Sequence, residues 1–199
     1  MLRIVAGRFR GRRLHTTRGR GLRPTADRMK ESIYDVLQAR VPGARVLDLY
    51  AGSGSLGLEA LSRGASHVVL VECSRRALEI IRRNLELLGV QDEVDVVAAD
   101  ALRYLAASAM QAFDLILADP PYDAGVEDDL LAAVQRSVLR PGGCFVLQHV
   151  RRWRVTRPPE GFELFRSKRF GDTVVDFLVR GEETHVGRNT AGGALPGDV

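Results

Sequence analysis

Cysteine is scarce in this chain of 199 residues. Cys73 and Cys144 share no spacing that marks a disulfide framework, a redox pair or a metal site, and both read as reduced core thiols. Histidine is as thin: His15, His67, His149 and His185 are scattered, so no metal is expected. Long apolar runs are missing too. Nothing approaches the roughly twenty residues that span a bilayer, and the N-terminus is too arginine-rich and too broken for a signal peptide. A cytoplasmic protein with no membrane attachment is the expectation. The last shortage is local, because the first thirty residues hold a single acid, Asp27, against ten Lys or Arg.

What is present is the composition of an ordinary globular protein, 45% hydrophobic and 27% charged, long enough for one sizeable core plus an appendage. The basic N-terminal segment is the appendage. Arg3, Arg8, Arg10, Arg12, Arg13, Arg18, Arg20 and Arg23 alternate with glycines and apolar residues, a pattern that predicts a short twisted hairpin. Arginine both pairs with phosphate and stacks on bases, so RNA is the natural partner. A helix follows from Thr25, a candidate N-cap with Asp27 in the first turn, to about Gln38.

From Arg45 the chain alternates strand and helix. Strands are expected at Arg45–Leu49, His67–Glu72, Val94–Ala99, Phe113–Ala118 and Cys144–Val150. The helices between them fall at Leu56–Arg63, Ser74–Leu88, Leu102–Ala107 and Val126–Leu139, the last closed by Pro141-Gly142-Gly143. Such alternation predicts a mostly parallel α/β sheet with right-handed crossovers. Two further strands, Phe162–Phe170 and Thr173–Val179, are joined only by Gly171-Asp172 and so form an antiparallel hairpin. Three segments result: a basic extension and helix at 1–42, a catalytic domain at 43–180, and a tail at 181–199 with too few apolar residues to pack, read as disordered.

Four acids fall at the ends of successive strands: Asp48, Glu72, Asp100 and Asp119. Singly, each reads equally well as a cap for the following turn or helix. Together they lie where open α/β sheets bind ligands. The stretch Gly52-Ser53-Gly54-Ser55-Leu56-Gly57 matches the dinucleotide fingerprint, with Glu72 about twenty residues on as a ribose-binding acid, so the pattern by itself admits NAD or another adenosine cofactor. Charge chooses between them. A pyrophosphate on this turn would face Asp48, at a cost on the order of a few kcal/mol in a partly dry cleft, whereas S-adenosylmethionine carries no phosphate and two positive centres. Glu72 can take both ribose hydroxyls, and Asp100 can accept from the adenine amine. The candidate cofactor set is Asp48, Tyr50, Gly52, Gly54, Glu72, Asp100 and Ala101.

The fourth acid opens Asp119-Pro120-Pro121-Tyr122. Two prolines remove two backbone donors, so nearby carbonyls and the Asp119 carboxylate form an acceptor-only patch suited to an exocyclic amine, with Tyr122 as the stacking surface. Asp119, Pro120 and Tyr122 are therefore the candidate catalytic residues.

These residues resemble a known family, the class I, Rossmann-like methyltransferases that modify the N2 amine of a guanine in bacterial 16S ribosomal RNA. The resemblance runs to about Arg180. It rests on the arm from Arg3 to Leu14, the start Leu22-Arg23-Pro24-Thr25-Ala26-Asp27-Arg28, the Asp48-Leu49-Tyr50-Ala51-Gly52-Ser53-Gly54 loop, and Asp119-Pro120-Pro121-Tyr122. It implies S-adenosylmethionine as cofactor and, as target, guanine 966 in the helix 31 loop of 16S rRNA within assembled or assembling 30S subunits. Arg8, Arg10, Arg12, Arg13, Arg23 and Arg28 are the candidate RNA-binding residues. The family often carries an acid after the strand that follows Pro-Gly-Gly; here Gln148 and His149 stand there, and no role is carried over to them. Adenine-N6 methyltransferases share the Asp-Pro-Pro-Tyr pattern but usually add a recognition domain, for which this length leaves no room. A protein-glutamine methyltransferase favours Asn where Asp119 stands, and a nicotinamide-dependent dehydrogenase is opposed by Asp48 and the final hairpin. A non-catalytic RNA-binding assembly factor remains the alternative from another class.

Overall fold

A computed structural model describes residues 2–16, 24–107, 113–122, 124–136 and 138–182. Its centre is a seven-stranded sheet in the order β3-β2-β1-β4-β5-β7-β6. The strands are β1 Arg45–Leu49, β2 His67–Glu72, β3 Val94–Ala98, β4 Phe113–Ala118, β5 Leu139–Val150, β6 Phe162–Phe170 and β7 Thr173–Arg180. The first five in spatial order pair in parallel, and β7 and β6 add on antiparallel. The order reverses between β1 and β4, which opens a crevice at their carboxyl ends.

The helices are α1 Pro24–Leu37, α2 Ser55–Ser62, α3 Arg75–Leu88, α4 Ala101–Ala107 and α5 Glu127–Arg136. Strand residues alternate between two apolar layers because successive side chains point to opposite faces. Val46, Leu70, Leu115, Leu117, Val146 and Phe177 pack with Ile33, Leu58, Ile81 and Leu85 of α1, α2 and α3. Leu47, Val69, Ile116, Phe145 and Leu178 pack with Leu105, Leu130 and Val134 of α4 and α5. The result is a three-layer sandwich. Among the described residues no helix is long and apolar enough to cross a membrane.

Element ends differ from expectation where backbone chemistry overrides pattern. Ser74 is the N-cap of α3 rather than its first residue, its side chain accepting from the Ala77 amide at 3.4 Å. Helix α5 stops at Arg136, and Leu139 already pairs with Phe113 in the sheet. The next matched pair is Leu115 with Cys144, so the Pro141-Gly142-Gly143 stretch is an outward bulge inside β5 and not a spacer before it. Proline donates no ladder hydrogen bond, and a bulge accommodates it without ending the strand.

The basic arm forms a narrow loop closed by an antiparallel bridge between Arg3 and Arg13, with Ile4 N donating to Arg12 O at 2.9 Å and Leu14 N to Leu2 O at 2.9 Å. Ile4 and Leu14 are buried in the α1–α3 layer. Arg23, the Thr25 side chain and the tail from residue 183 lie outside the described residues.

Candidate active site

The crevice holds a cleft of about 550 Å³. Of the predicted residues, Asp48, Tyr50, Gly52, Glu72 and Asp119 line it, together with Ser53, Pro121 and Gln148. Strand parity explains the convergence. Asp48 follows Val46, Asp119 follows Leu117, and Gln148 follows Val146 by two positions each, so all three project to the α1–α3 face. In the ladder Ala118 stands opposite Leu147, which makes Asp119 and Gln148 the next positions on adjacent strands. The far wall comes from outside the sheet: Leu2 and Thr16 of the arm, and Met29, Lys30 and Ile33 of α1.

Two carboxylates shape the turn after β1. Asp48 Oδ2 accepts from the Gly57 amide at 2.8 Å, serving α2 in place of a cap, since its N-cap residue is Gly54 with no side chain to offer. Only glycine fits at 57, because a Cβ there would lie 2.5 Å from Leu70 Cδ2 and 2.8 Å from Val68 Cγ1. Glu72 accepts from the Gly52 amide through Oε2 and from the Ser74 amide through Oε1, both at 2.8 Å. Each of these oxygens keeps a second lone pair for a ligand hydroxyl. Between them Tyr50 holds φ 57°, the one positive value for a non-glycine among the described residues. Such backbone strain concentrates where a loop is shaped for a ligand.

Electrostatically the cleft is acidic. Asp48 is 1% exposed, and burial raises its carboxyl to about 7, opposed by the Gly57 hydrogen bond and reinforced by the charges of Asp119 and Glu72. Burial likewise pushes Tyr50 up to about 12, with Asp100 the next contributor. The desolvated acids favour a cation over an anion in the cleft.

Asp100, Ala101, Gly54, Pro120 and Tyr122 do not line the cleft. Asp100 Oδ1 accepts from the Arg103 amide at 3.0 Å as a cap of α4, and Ala101 is buried in the layer beneath. Pro120 is buried. Tyr122 is 45% exposed, and its hydroxyl pairs with Thr173 Oγ1 at 2.6 Å in the β6–β7 hairpin. Arg8, Arg10, Arg12, Arg13 and Arg28 are exposed on the arm side, where Arg3, Arg10 and Arg28 line a second, shallower pocket. Arg8 is tied to Glu93 at 2.6 Å; Arg10, Arg12, Arg13 and Arg28 make no ion pair among the described residues.

Several residues that matter to this architecture escape a reading by motif. Glu59, fully buried in α2, accepts from the Val5 amide at 2.7 Å, the Ala6 amide at 3.0 Å and Arg63 Nε at 2.8 Å, and pairs with Lys30 at 3.3 Å. Lys30 also donates to the Arg3 carbonyl, and burial lowers its pKa despite Glu59. Asn84 of α3 accepts from the His15 amide at 2.8 Å and donates to the Ser53 carbonyl at 2.9 Å, clipping the arm to the glycine loop. The signal for both was an uncharged or apolar stripe broken by one polar residue, Glu59 in Leu56–Leu61 and Asn84 between Ile81 and Leu85. Gln148 is 2% exposed and its Oε1 has no hydrogen-bond partner among the described residues. On the opposite face His149 Nε2 lies 3.0 Å from Asp176 Oδ2, with Trp153 edge-on to the imidazole at 4.6 Å.

Known proteins share this architecture. The chain is 32% identical over 173 residues to Ribosomal RNA small subunit methyltransferase D of Haemophilus influenzae, covering 85% of this chain and 89% of that one. Among solved structures, yhhF from Escherichia coli superposes with a TM-score of 0.82 at 27% identity, over 90% of this chain and 98% of that one. The Thermus thermophilus 16S rRNA N2 G1207 methyltransferase (RsmC), solved with AdoMet and guanosine, superposes with a TM-score of 0.64 at 25% identity, over 83% of this chain and 45% of that one. With a class I methyltransferase sheet and a family match over residues 2–179, the chain belongs to the family described as Conserved hypothetical protein 95.

Proposed function

We propose that this protein transfers a methyl group from S-adenosylmethionine to the exocyclic N2 of a guanine in 16S ribosomal RNA, at the helix 31 loop, on assembled or assembling small subunits. One observation carries the reading: the Asp119 strand end opens into the same cleft as the Asp48 and Glu72 carboxylates and the glycine turn. The relative named for small-subunit rRNA methylation supports the RNA, and the neighbour solved with AdoMet and guanosine supports both the cofactor and the base.

The residues fit the cofactor by the chemistry of their donors. Glu72 offers carboxylate lone pairs to a diol, the glycine turn admits close backbone approach, and the buried Asp48 complements a positive group. When bound, the cofactor supplies a methyl carbon made electrophilic by a sulfonium. The protein does the rest. The guanine leaves its stack, at an unstacking cost of a few kcal/mol, and its N2 hydrogens bond to the Asp119 carboxylate in the cleft and to the Pro120 carbonyl, which must turn toward the base because Pro120 is buried outside the cleft. Those acceptors turn the nitrogen lone pair toward the methyl carbon and stabilise the positive charge that appears on nitrogen. N2 takes up the methyl group while the bonding pair stays on the cofactor's sulfur, and the N2 proton, acidic once the nitrogen is alkylated, passes to water at the cleft mouth. Tyr122, 45% exposed, would offer its ring face for stacking while its hydroxyl is held by Thr173 Oγ1 at 2.6 Å.

Tritium transfer from labelled cofactor to unmodified 30S subunits tests this, with mass mapping of the product nucleotide. Asp119→Ala is expected to lower the single-turnover rate by roughly 10²–10³ with cofactor affinity nearly intact. An unchanged rate removes Asp119 from the role, and label on adenine N6 replaces the guanine reading.

A further inference from the structure

The arm is not the molecule's only basic surface. Residues 151–172 carry seven Lys or Arg against three acids, and residues 1–30 carry ten against one, which leaves twelve cations against twenty-one acids in all the rest of the chain. A protein of net charge +4 is thus an acidic body with two basic segments. The second segment converges on the turn between β6 and β7. The Arg151 amide donates to the Asp172 carbonyl at 2.8 Å, Arg169 Nε donates to the Gly171 carbonyl at 2.9 Å, and Tyr122 reaches Thr173 Oγ1 at 2.6 Å. Hydrogen bonds therefore fasten this turn directly beside the Asp119–Tyr122 motif. Arg151 and Arg169 are exposed and make no ion pair among the described residues. Further along β6, Phe165 is 54% exposed with the Arg166 guanidinium 5.9 Å from its ring centre.

We propose that this ledge, formed by the β6–β7 turn with Arg151 and Arg169, is a second RNA-binding surface that grips phosphates flanking the target nucleotide. The inference rests on the proposed function and extends it. An RNA strand delivering a base to Asp119 runs past Tyr122, and its phosphates there need cations that the acidic body does not supply. Arginine suits the task because its planar fork pairs with phosphate oxygens. Charges on the edge strand β6 also discourage sheet-to-sheet pairing. That role covers Arg166 and Arg169 on the strand itself, but not Arg151, which approaches the same turn from the end of β5.

The test compares the double variant Arg151→Gln/Arg169→Gln with a charge-matched control on α3, Arg82→Gln/Arg83→Gln, in filter binding to unmodified 30S subunits between about 50 and 200 mM salt. The ledge variant is expected to bind about tenfold or more weakly and to lose about 1.5 from the slope of log affinity on log salt, two contacts at roughly 0.7–0.9 each. Its melting temperature and its titration with S-adenosylmethionine should match the wild type. A wild-type slope in the ledge variant, or an equal loss in the α3 control, overturns the proposal. Should the ledge variant behave as expected while the wild type transfers no methyl group, the ledge stands and the enzymatic reading fails. A wild type that does not bind 30S subunits overturns both.

Discussion

At the scale of single residues, two buried polar groups in the cleft make opposite demands. Asp48 titrates near 7 when folded against 3.8 in a model peptide, so between those values the native state holds the extra proton. Asp48's own contribution to stability is then fully present below about pH 4 and is withdrawn progressively as pH rises to about 7, by a few kcal/mol in all, with no further loss above. Thermal unfolding of Asp48→Asn across that range should show this decline abolished. A cation bound beside Asp48 favours its ionised form, so S-adenosylmethionine binding should release a proton near pH 7 and tighten as pH rises. Calorimetry in buffers of different ionisation enthalpy reads that proton; a buffer-independent heat counts against the contact. Gln148 poses the other case. Its Oε1 is buried with no partner among the described residues, and a buried unpaired acceptor costs about 1–3 kcal/mol. Gln148→Met should therefore be neutral or stabilising in denaturant, while methyl transfer declines if the amide serves the base beside Asp119. A marked loss of stability would mean that the amide is satisfied within the fold.

At the scale of elements, the arm and α2 behave as one unit. A Cβ on Gly7 would lie 1.8 Å from the Ser62 carbonyl oxygen, and the residue holds φ +80°, so Gly7→Ala must lift the arm from α2. The expected cost is roughly 1–3 kcal/mol, with faster tryptic cleavage around Arg8–Arg13 and weaker 30S binding. Unchanged cleavage would mean that the arm is held elsewhere. The arm was legible as basic and hairpin-like because glycine and arginine patterning is local. Its docking was not, because Glu59 and Asn84 reach it across more than fifty residues of chain. The α5–β5 boundary was misplaced for a related reason: Pro141-Gly142-Gly143 looks like a terminator from within, and only the pairing of Leu139 with Phe113 shows it to be a bulge.

At the scale of the whole molecule, the cleft is assembled from segments spread between Leu2 and Gln148, so ligand binding should stabilise the fold globally. Cofactor at about a hundred times its dissociation constant adds ~2.7 kcal/mol, which for a protein of this size is a rise of several degrees in melting temperature. S-adenosylmethionine is expected to produce that rise and NADH is not; the reverse would restore the dinucleotide reading. What the sequence determined by itself was the alternation of strands and helices and the acids at the strand ends, since each follows from side-chain period and charge within a short window. The tertiary structure alone decided that Asp48, Asp119 and Gln148 share one face, that Asp100 caps α4 outside the cleft, and that Tyr122 rests on Thr173. These depend on strand order, register and the packing of distant segments, which no local pattern encodes.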